Sequence, residues 1–387
     1  MIQDPKRVIV IGGCGHVGLP FGTVLADNGY QVTLLDINEA AIACVNEGRA
    51  PFIEKGIDDL LMNLIKKGNI KATNEFEEIK KAEVVVIVTG TPLDDGFNPD
   101  LQSVLKVVKD VKNYLDKNQI IILRSTVYPG TTNQVFNEIR EFTENIFYCP
   151  ERIAEGFAIE EIRTLPQIIG TRDHQRIDPV KKIFESLGIE TLITTYLNAE
   201  LAKLLTNTWR YVKFAVANEM WMLLSEMNVN FDEIYHLMTH NYPRTKDLPR
   251  SGFAGGPCLI KDARQTSHYF QNRFNFANIA FQVNNGLPIS LIKMIEREYH
   301  LSEMTVGILG MAFKKNSDDK RSSLAYELKS YLDQRCKRVL ITDPHIKDDP
   351  SLVNINYLLE ECDFAIIGAP HLEYENITTD KKIFNIW

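Results

Sequence analysis

Residues 252–262 read GFAGGPCLIKD, which sets Cys258 on a glycine-rich turn. Small residues before a cysteine leave room for a substrate carbon to approach its sulfur. The nearby Lys261 favours the thiolate, and Asp262 could position a water. A buried structural cysteine is the competing reading, although a Gly-Gly-Pro turn is poor core material. Lys203 and Asn207 stand four apart, which puts them on one face of a helix. On spacing alone, a lysine beside an apolar stripe snorkels to water. Glu151 and Glu155, in the run PERIAEG, are also four apart. Spacing alone makes them an ordinary exposed helix pair.

A second constellation would bind rather than react. Gly13-Cys14-Gly15-His16-Val17-Gly18 follows a β-branched run and opens an apolar helical stretch. Glycines there allow a tight turn, close approach of the backbone to a pyrophosphate, and close helix–strand packing. The helix N-terminus then offers free N–H groups to the phosphates. Asp36 lies eighteen residues past Gly18, at the end of the next strand, placed to accept from a ribose 2′-hydroxyl. Its charge repels a 2′-phosphate, so NAD is expected rather than NADP. The other reading of Asp36 is a solvated turn carboxylate. Thr89-Gly90-Thr91-Pro92 and Ser125-Thr126 follow two later strands, where open α/β sheets bind ligands.

The elements that must carry these groups are legible in the hydrophobic pattern. Strands are expected at 7–11, 31–35, 84–89, 120–124, 146–149 and 167–170, with helical stretches between them. The run 84–89 (VVVIVT) is apolar throughout, as in a parallel sheet buried on both faces. This predicts an N-terminal Rossmann-like, doubly wound α/β domain over residues 1–195. From Asn198 to about Met227 the apolar positions Leu201, Leu204, Leu205, Trp209, Val212 and Val216 recur at helical spacing, beginning a helical middle section over 196–300. Strands at 305–309, 338–342 and 363–367 then predict a smaller Rossmann-like α/β lobe over 301–387.

Composition narrows the function. Forty-three Lys and Arg against fifty-one Asp and Glu give a net charge of −8, a poor basis for binding nucleic acid or anionic membrane. No apolar run approaches the ~18 residues needed to span a bilayer. Residues 8–26 are interrupted by five glycines and lack a signal-peptide cleavage pattern, which predicts a cytoplasmic chain. Six scattered cysteines without CxxC pairs or ligand-like spacing to histidine argue against a disulfide framework and structural zinc. Cys14, Cys44, Cys149, Cys336 and Cys362 read as packing residues.

Taken together these motifs resemble the UDP-glucose/GDP-mannose dehydrogenase family, the nucleotide-sugar 6-dehydrogenases. The likeness runs nearly end to end: GCGHVGLP at 13–20, Thr91-Pro92-Leu93, Ser125-Thr126-Val127, Pro150-Glu151-Arg152 with Glu155-Gly156, and Lys203 with Asn207. It continues through residues 255–262 and Gly310-Met311-Ala312-Phe313-Lys314 with Arg321. The resemblance implies that Cys258 is a nucleophile and that Glu151, Lys203, Asn207 and Asp262 surround the reacting carbon. Thr126 would help to hold the catalytic water or the cofactor. Gly13, Gly15, His16, Val17, Gly18, Asp36, Thr91, Glu155, Lys261 and Arg321 would touch NAD. Gly255 and Lys314 would touch the UDP-sugar. Arg244 matches, by spacing, a residue that reaches a partner's active site across a homodimer built on the central helix. The implied reaction takes a primary alcohol to a carboxylate with two NAD, yielding a UDP-uronate for surface polysaccharide.

The family's C-terminal lobe carries an arginine near its end that contacts the nucleotide sugar, and residues 379–387 (TDKKIFNIW) contain none. Lys261 resembles the UDP-glucose branch, whereas Asn207-Thr208-Trp209-Arg210 and residues 214–219 (FAVANE) resemble the N-acetylhexosamine branch. Two rival readings stand beside this one: a β-hydroxyacid dehydrogenase, which transfers one hydride and has no use for Cys258, and an inactive sugar-nucleotide sensor.

Overall fold

The computed structural model describes residues 4–91, 100 and 102–387, and it divides into two compact units, Met1–Leu204 and Leu205–Trp387. Among the described residues of the first unit, eight strands form one sheet: β1 (Arg7–Ile11), β2 (Gln31–Leu35), β3 (Ile70–Thr73), β4 (Val84–Ile87), β5 (Ile120–Leu123), β6 (Ile146–Tyr148), β7 (Gln167–Gly170) and β8 (Thr191–Thr194). Their order is β3-β2-β1-β4-β5-β6-β7-β8, and every neighbouring pair is parallel except β6 with β7. Strand order reverses between β1 and β4, which opens a crevice at the carboxyl ends of those strands. Val84, Val85, Val86 and Ile87 are all buried, because helices cover both faces of a sheet connected in this way.

Register places the functional loops. Ile11 pairs with Leu35 on one side and Ile87 on the other. The glycine loop, Asp36 and the chain after β4 therefore leave the sheet at one level. The Leu35 carbonyl accepts from both Gly12 N–H at 2.9 Å and Gly13 N–H at 3.1 Å, fastening the loop to β2.

Two helix starts in this unit are capped from far along the chain. Gly130 precedes the helix Thr131–Ile139 and offers no side chain. The buried Glu200 carboxylate supplies the cap, accepting from Gly130 N–H at 2.6 Å, Thr132 N–H at 2.8 Å and Thr132 Oγ1 at 2.6 Å. Burial pushes its pKa up, against those three donors. Glu54 does the same for Gly156 at 2.7 Å and Ala158 at 2.8 Å, at the start of the helix Ala158–Ile162.

The helix Tyr196–Glu226, 31 residues and about 46 Å long at 1.5 Å per residue, starts in the first unit and continues into the second. After it come the helices Phe231–Thr239, Pro257–Tyr269 and Asn275–Ile295. Among the described residues the second unit also holds a four-stranded parallel sheet of β9 (Thr305–Leu309), β10 (Arg338–Thr342), β11 (Phe364–Ile367) and β12 (Lys382–Phe384), in the order β10-β9-β11-β12.

The α/β class, the long helix and the smaller second sheet agree with the sequence reading. Three strands, β3, β8 and β12, were not expected. Each has three or four residues and lies at a sheet edge, where half-exposed side chains give little pattern. Residues 151–154 are irregular rather than helical, so Glu151 and Glu155 are not a helix pair. The apolar stripe of the long helix also divides. Leu204 is buried, while Leu205, Trp209 and Val216 are exposed, as are Leu223 further along the helix and Met227 just past its end.

Candidate active site

The glycine loop has the shape its composition requires. A Cβ at Gly18 would lie 2.3 Å from the Gly12 carbonyl oxygen, so only glycine lets the helix Gly18–Asp27 start so close to the loop. A Cβ at Gly15 would meet only that same oxygen, at 3.7 Å, and the space above Gly15 is open. No side chain caps the helix. His16 stacks on Phe52 with ring centroids 4.0 Å apart. Asp36 accepts from Cys14 N–H at 2.9 Å on one oxygen and Asn38 N–H at 3.1 Å on the other. A carboxylate has about four acceptor sites, which leaves capacity for ribose hydroxyls beside an open, uncapped helix start. A dinucleotide fits these residues.

The two threonine loops meet each other. Thr89 N–H donates to Ser125 Oγ at 2.7 Å, and Thr91 Oγ1 donates to the Thr126 carbonyl at 2.8 Å. Pro92 and Leu93 lie outside the described residues. Glu151 is buried and paired with Arg124, whose guanidinium is itself buried over the Phe21 ring at 4.0 Å. The other carboxylate oxygen of Glu151 accepts from Arg152 N–H at 2.7 Å and Ile153 N–H at 3.0 Å. Both oxygens are thus held, and removing Arg124 alone would strand a buried charge at a cost of about 3–5 kcal/mol. The turn Glu155-Gly156 is held by Glu54 through Gly156 N–H at 2.7 Å.

In the second unit Cys258 is the second residue of the helix Pro257–Tyr269 rather than part of the turn before it, and it is exposed. A helix N-terminus favours negative charge, so this position suits a thiolate. Asp262 lies one turn further on and is buried. It accepts from Asn207 Nδ2 at 2.6 Å and pairs with Lys261 Nζ at 2.8 Å. Lys203 and Asn207 are both buried on the long helix, so Lys203 does not snorkel.

The turn is braced from several directions. Gly256 has φ +85°, and a Cβ there would lie 2.5 Å from the Phe313 ring. Gly255 likewise has the Ser322 carbonyl oxygen 2.7 Å from where its Cβ would be. Gly252 exchanges two hydrogen bonds with the Asn218 side chain, at 2.9 and 3.0 Å.

Sequence profiles of one family cover the chain in three successive pieces. The NAD binding domain of the UDP-glucose/GDP-mannose dehydrogenase family matches residues 6–188, its central domain 197–285, and its UDP binding domain 307–385. The chain belongs to this family. UDP-N-acetyl-D-mannosamine dehydrogenase of Methanococcus aeolicus is 31% identical, over 97% of this chain and 87% of the relative. The solved UDP-D-ManNAc dehydrogenase of Pyrococcus horikoshii superposes with a TM-score of 0.89 at 27% identity, covering 98% of this chain and 94% of that one. A UDP-glucose dehydrogenase structure from Pyrobaculum islandicum shares the fold, with a TM-score of 0.89 at 23% identity, covering 99% and 94% of the two chains.

The cofactor of this dehydrogenase is NAD, and its activity class is oxidation of a UDP-sugar. Among the described residues, no helix is long and apolar enough to cross a membrane. Of the other expected site residues, Lys314 lies 5.4 Å from the centre of the Phe313 ring. Arg321 forks onto Asp319 with contacts of 2.6–3.0 Å. Arg244 is exposed and sits against Tyr242. Arg124, Asn218 and Glu54 escaped the sequence reading because their partners are 27, 34 and 102 residues away. Replacing Asp36 by arginine is expected to weaken NAD binding and relieve discrimination against NADP. The measurement is KM for each cofactor, and unchanged NAD affinity would leave Asp36 a turn residue only.

Proposed function

We propose that this dehydrogenase oxidises the C6 alcohol of a UDP-sugar to the carboxylate in two steps, the second through a covalent bond to Cys258. The observation that carries the reading is the exposed Cys258 thiol at the start of its helix, one turn from an Asp262 joined to both Asn207 and Lys261. Bound NAD supplies the hydride acceptor for both oxidations. In the first, Lys203 and Asn207 stabilise the alkoxide that develops on the sugar oxygen, electrostatic work of the oxyanion-hole kind. The resulting aldehyde has no readily lost hydride until a nucleophile adds. The Cys258 thiolate adds to its carbon to give a thiohemiacetal, and loss of hydride leaves a thioester. Water positioned near Asp262 and Glu151 then attacks, and the thiolate leaves. Covalent attachment also keeps the aldehyde from escaping.

In this reading Gly13, Gly15, His16, Val17 and Gly18 hold the pyrophosphate and Asp36 the ribose. Thr91, Thr126, Glu155, Lys261 and Arg321 complete the NAD contacts, and Gly255, Arg244 and Lys314 serve the UDP-sugar. Residues 1–195, 196–300 and 301–387 are the NAD-binding, dimerisation and UDP-sugar-binding segments. The likeness to the two UDP-N-acetyl-D-mannosamine dehydrogenases, with the segments 207–210 and 214–219, supports a UDP-N-acetylhexosamine over UDP-glucose. The test is NADH formation against UDP-N-acetylmannosamine, UDP-N-acetylglucosamine, UDP-glucose and GDP-mannose. Two NADH per sugar, with the first substrate fastest, is expected. One NADH per sugar would favour a single-step hydroxyacid-type dehydrogenase, and none with any of them a binding protein.

The partner proposed for the long helix is a second copy of the chain. Leu205, Trp209, Val216 and Leu223 are exposed at spacings of four and seven, the repeat of a helix–helix seam. Sedimentation should give a dimer, and Leu223→Glu a monomer. A parent chain that sediments as a monomer removes the seam.

A further inference from the structure

A buried acid–imidazole pair in the second unit takes its partners from one loop. Asp343 follows β10 and His371 lies beyond the end of β11, and these strands flank β9 on either side. The loop 310–316 leaves β9 between them. Both side chains are fully buried, with His371 Nε2 3.1 Å from Asp343 Oδ2.

That same carboxylate oxygen accepts from Met311 N–H at 2.7 Å and Ala312 N–H at 3.0 Å. On the other edge of the imidazole, Nδ1 accepts from Asn316 N–H at 2.9 Å. An Nδ1 that accepts and an Nε2 that faces a carboxylate assign the proton to Nε2. Asp343 Oδ1 is taken by His345 N–H at 2.8 Å and Ile346 N–H at 3.1 Å. Burial acts to raise the Asp343 pKa, but the His371 hydrogen bond and the backbone donors override it and hold the carboxyl well below the usual range. Asn316 has φ 53° and returns a bond, its Oδ1 accepting from Leu372 N–H at 3.1 Å.

Both ends of the segment 311–316 are therefore tied to one rigid pair, and Lys314 lies between them. We infer that Asp343 and His371 are positioning residues that hold this loop in its nucleotide-binding conformation before the UDP-sugar arrives. The inference rests on the proposed contact of Lys314 with that substrate. A loop ordered in advance loses no conformational freedom on binding, which appears as affinity. Neither side chain needs to touch the substrate.

The test compares His371→Phe, which keeps a ring but neither nitrogen, with His371→Gln, whose amide can accept from Asn316 N–H and donate to Asp343. Titrating the full-length chain with UDP by calorimetry, the phenylalanine variant should bind about tenfold more weakly. The glutamine variant should recover most of that loss, and KM for NAD should not move in either. A merely structural histidine would not give this split between substrates or the rescue. If the phenylalanine variant does not fold, hydrogen exchange on the parent decides. The amides of Met311, Ala312 and Asn316 should be protected without UDP.

Rapid exchange there, parental UDP affinity in His371→Phe, or glutamine as weak as phenylalanine each overturns the inference. Lys314→Ala separates it from the reading beneath it. Parental UDP affinity in that variant, with His371→Phe still weak, removes Lys314 from the substrate contacts and leaves the clamp acting through the loop backbone.

Discussion

Cys258→Ser is expected to stop the reaction before the carboxylate is released. A serine hydroxyl is a far weaker nucleophile than a thiolate, and an ester on serine hydrolyses far more slowly than a thioester. The first oxidation needs no covalent bond and can survive. The variant should then stall at the aldehyde or hold an ester, with mass added to the protein. A stall at the aldehyde gives one NADH per active site and a trapped ester gives two, in neither case with steady turnover. Stopped-flow absorbance and intact-protein mass read the two quantities. Normal turnover to the uronate would end the covalent mechanism and return Cys258 to the packing residues.

Lys203→Ala is expected to cost turnover rather than affinity. A charge aimed at a developing alkoxide acts mostly in the transition state, and losing one such group costs on the order of 10²–10³ in kcat. KM for the UDP-sugar should change by only a few-fold. Steady-state kinetics at saturating NAD separate the two parameters. A variant with parental kcat and a raised KM would make Lys203 a binding residue, with the alkoxide stabilised elsewhere.

The sequence was most readable where the chemistry is local. Strand, glycine loop, helix and Asp36 follow one another along the chain, and the register of β1 with β2 brings Asp36 beside the loop. Cys258 announced itself through the glycines before it, although its place on a helix rather than on the turn did not. What stayed hidden was pairing through space. Arg124 looked like the end of a strand, yet it holds Glu151 from inside the core. Glu54 and Glu200 belong to no motif, and each completes a helix start 68 to 104 residues away. Asp343 and His371 meet only once the second sheet has set their strands on either side of β9. Periodicity reports which face a residue occupies, and it carries no record of which distant donor meets which acceptor.

The different settings of the six cysteines bear on how the protein meets electrophiles and oxidants. Cys14, Cys149 and Cys362 are buried and Cys44 and Cys336 half-buried, while Cys258 is exposed. Burial pushes the Cys14 and Cys149 thiols up to about 12 and Cys336 to about 11, keeping them protonated at neutral pH. An alkylating reagent or a peroxide therefore meets Cys258 first, and sulfenic acid forms there before the core is touched. The sulfur that the proposed chemistry needs is also the chain's point of damage, so a reducing surrounding becomes a condition of its working life.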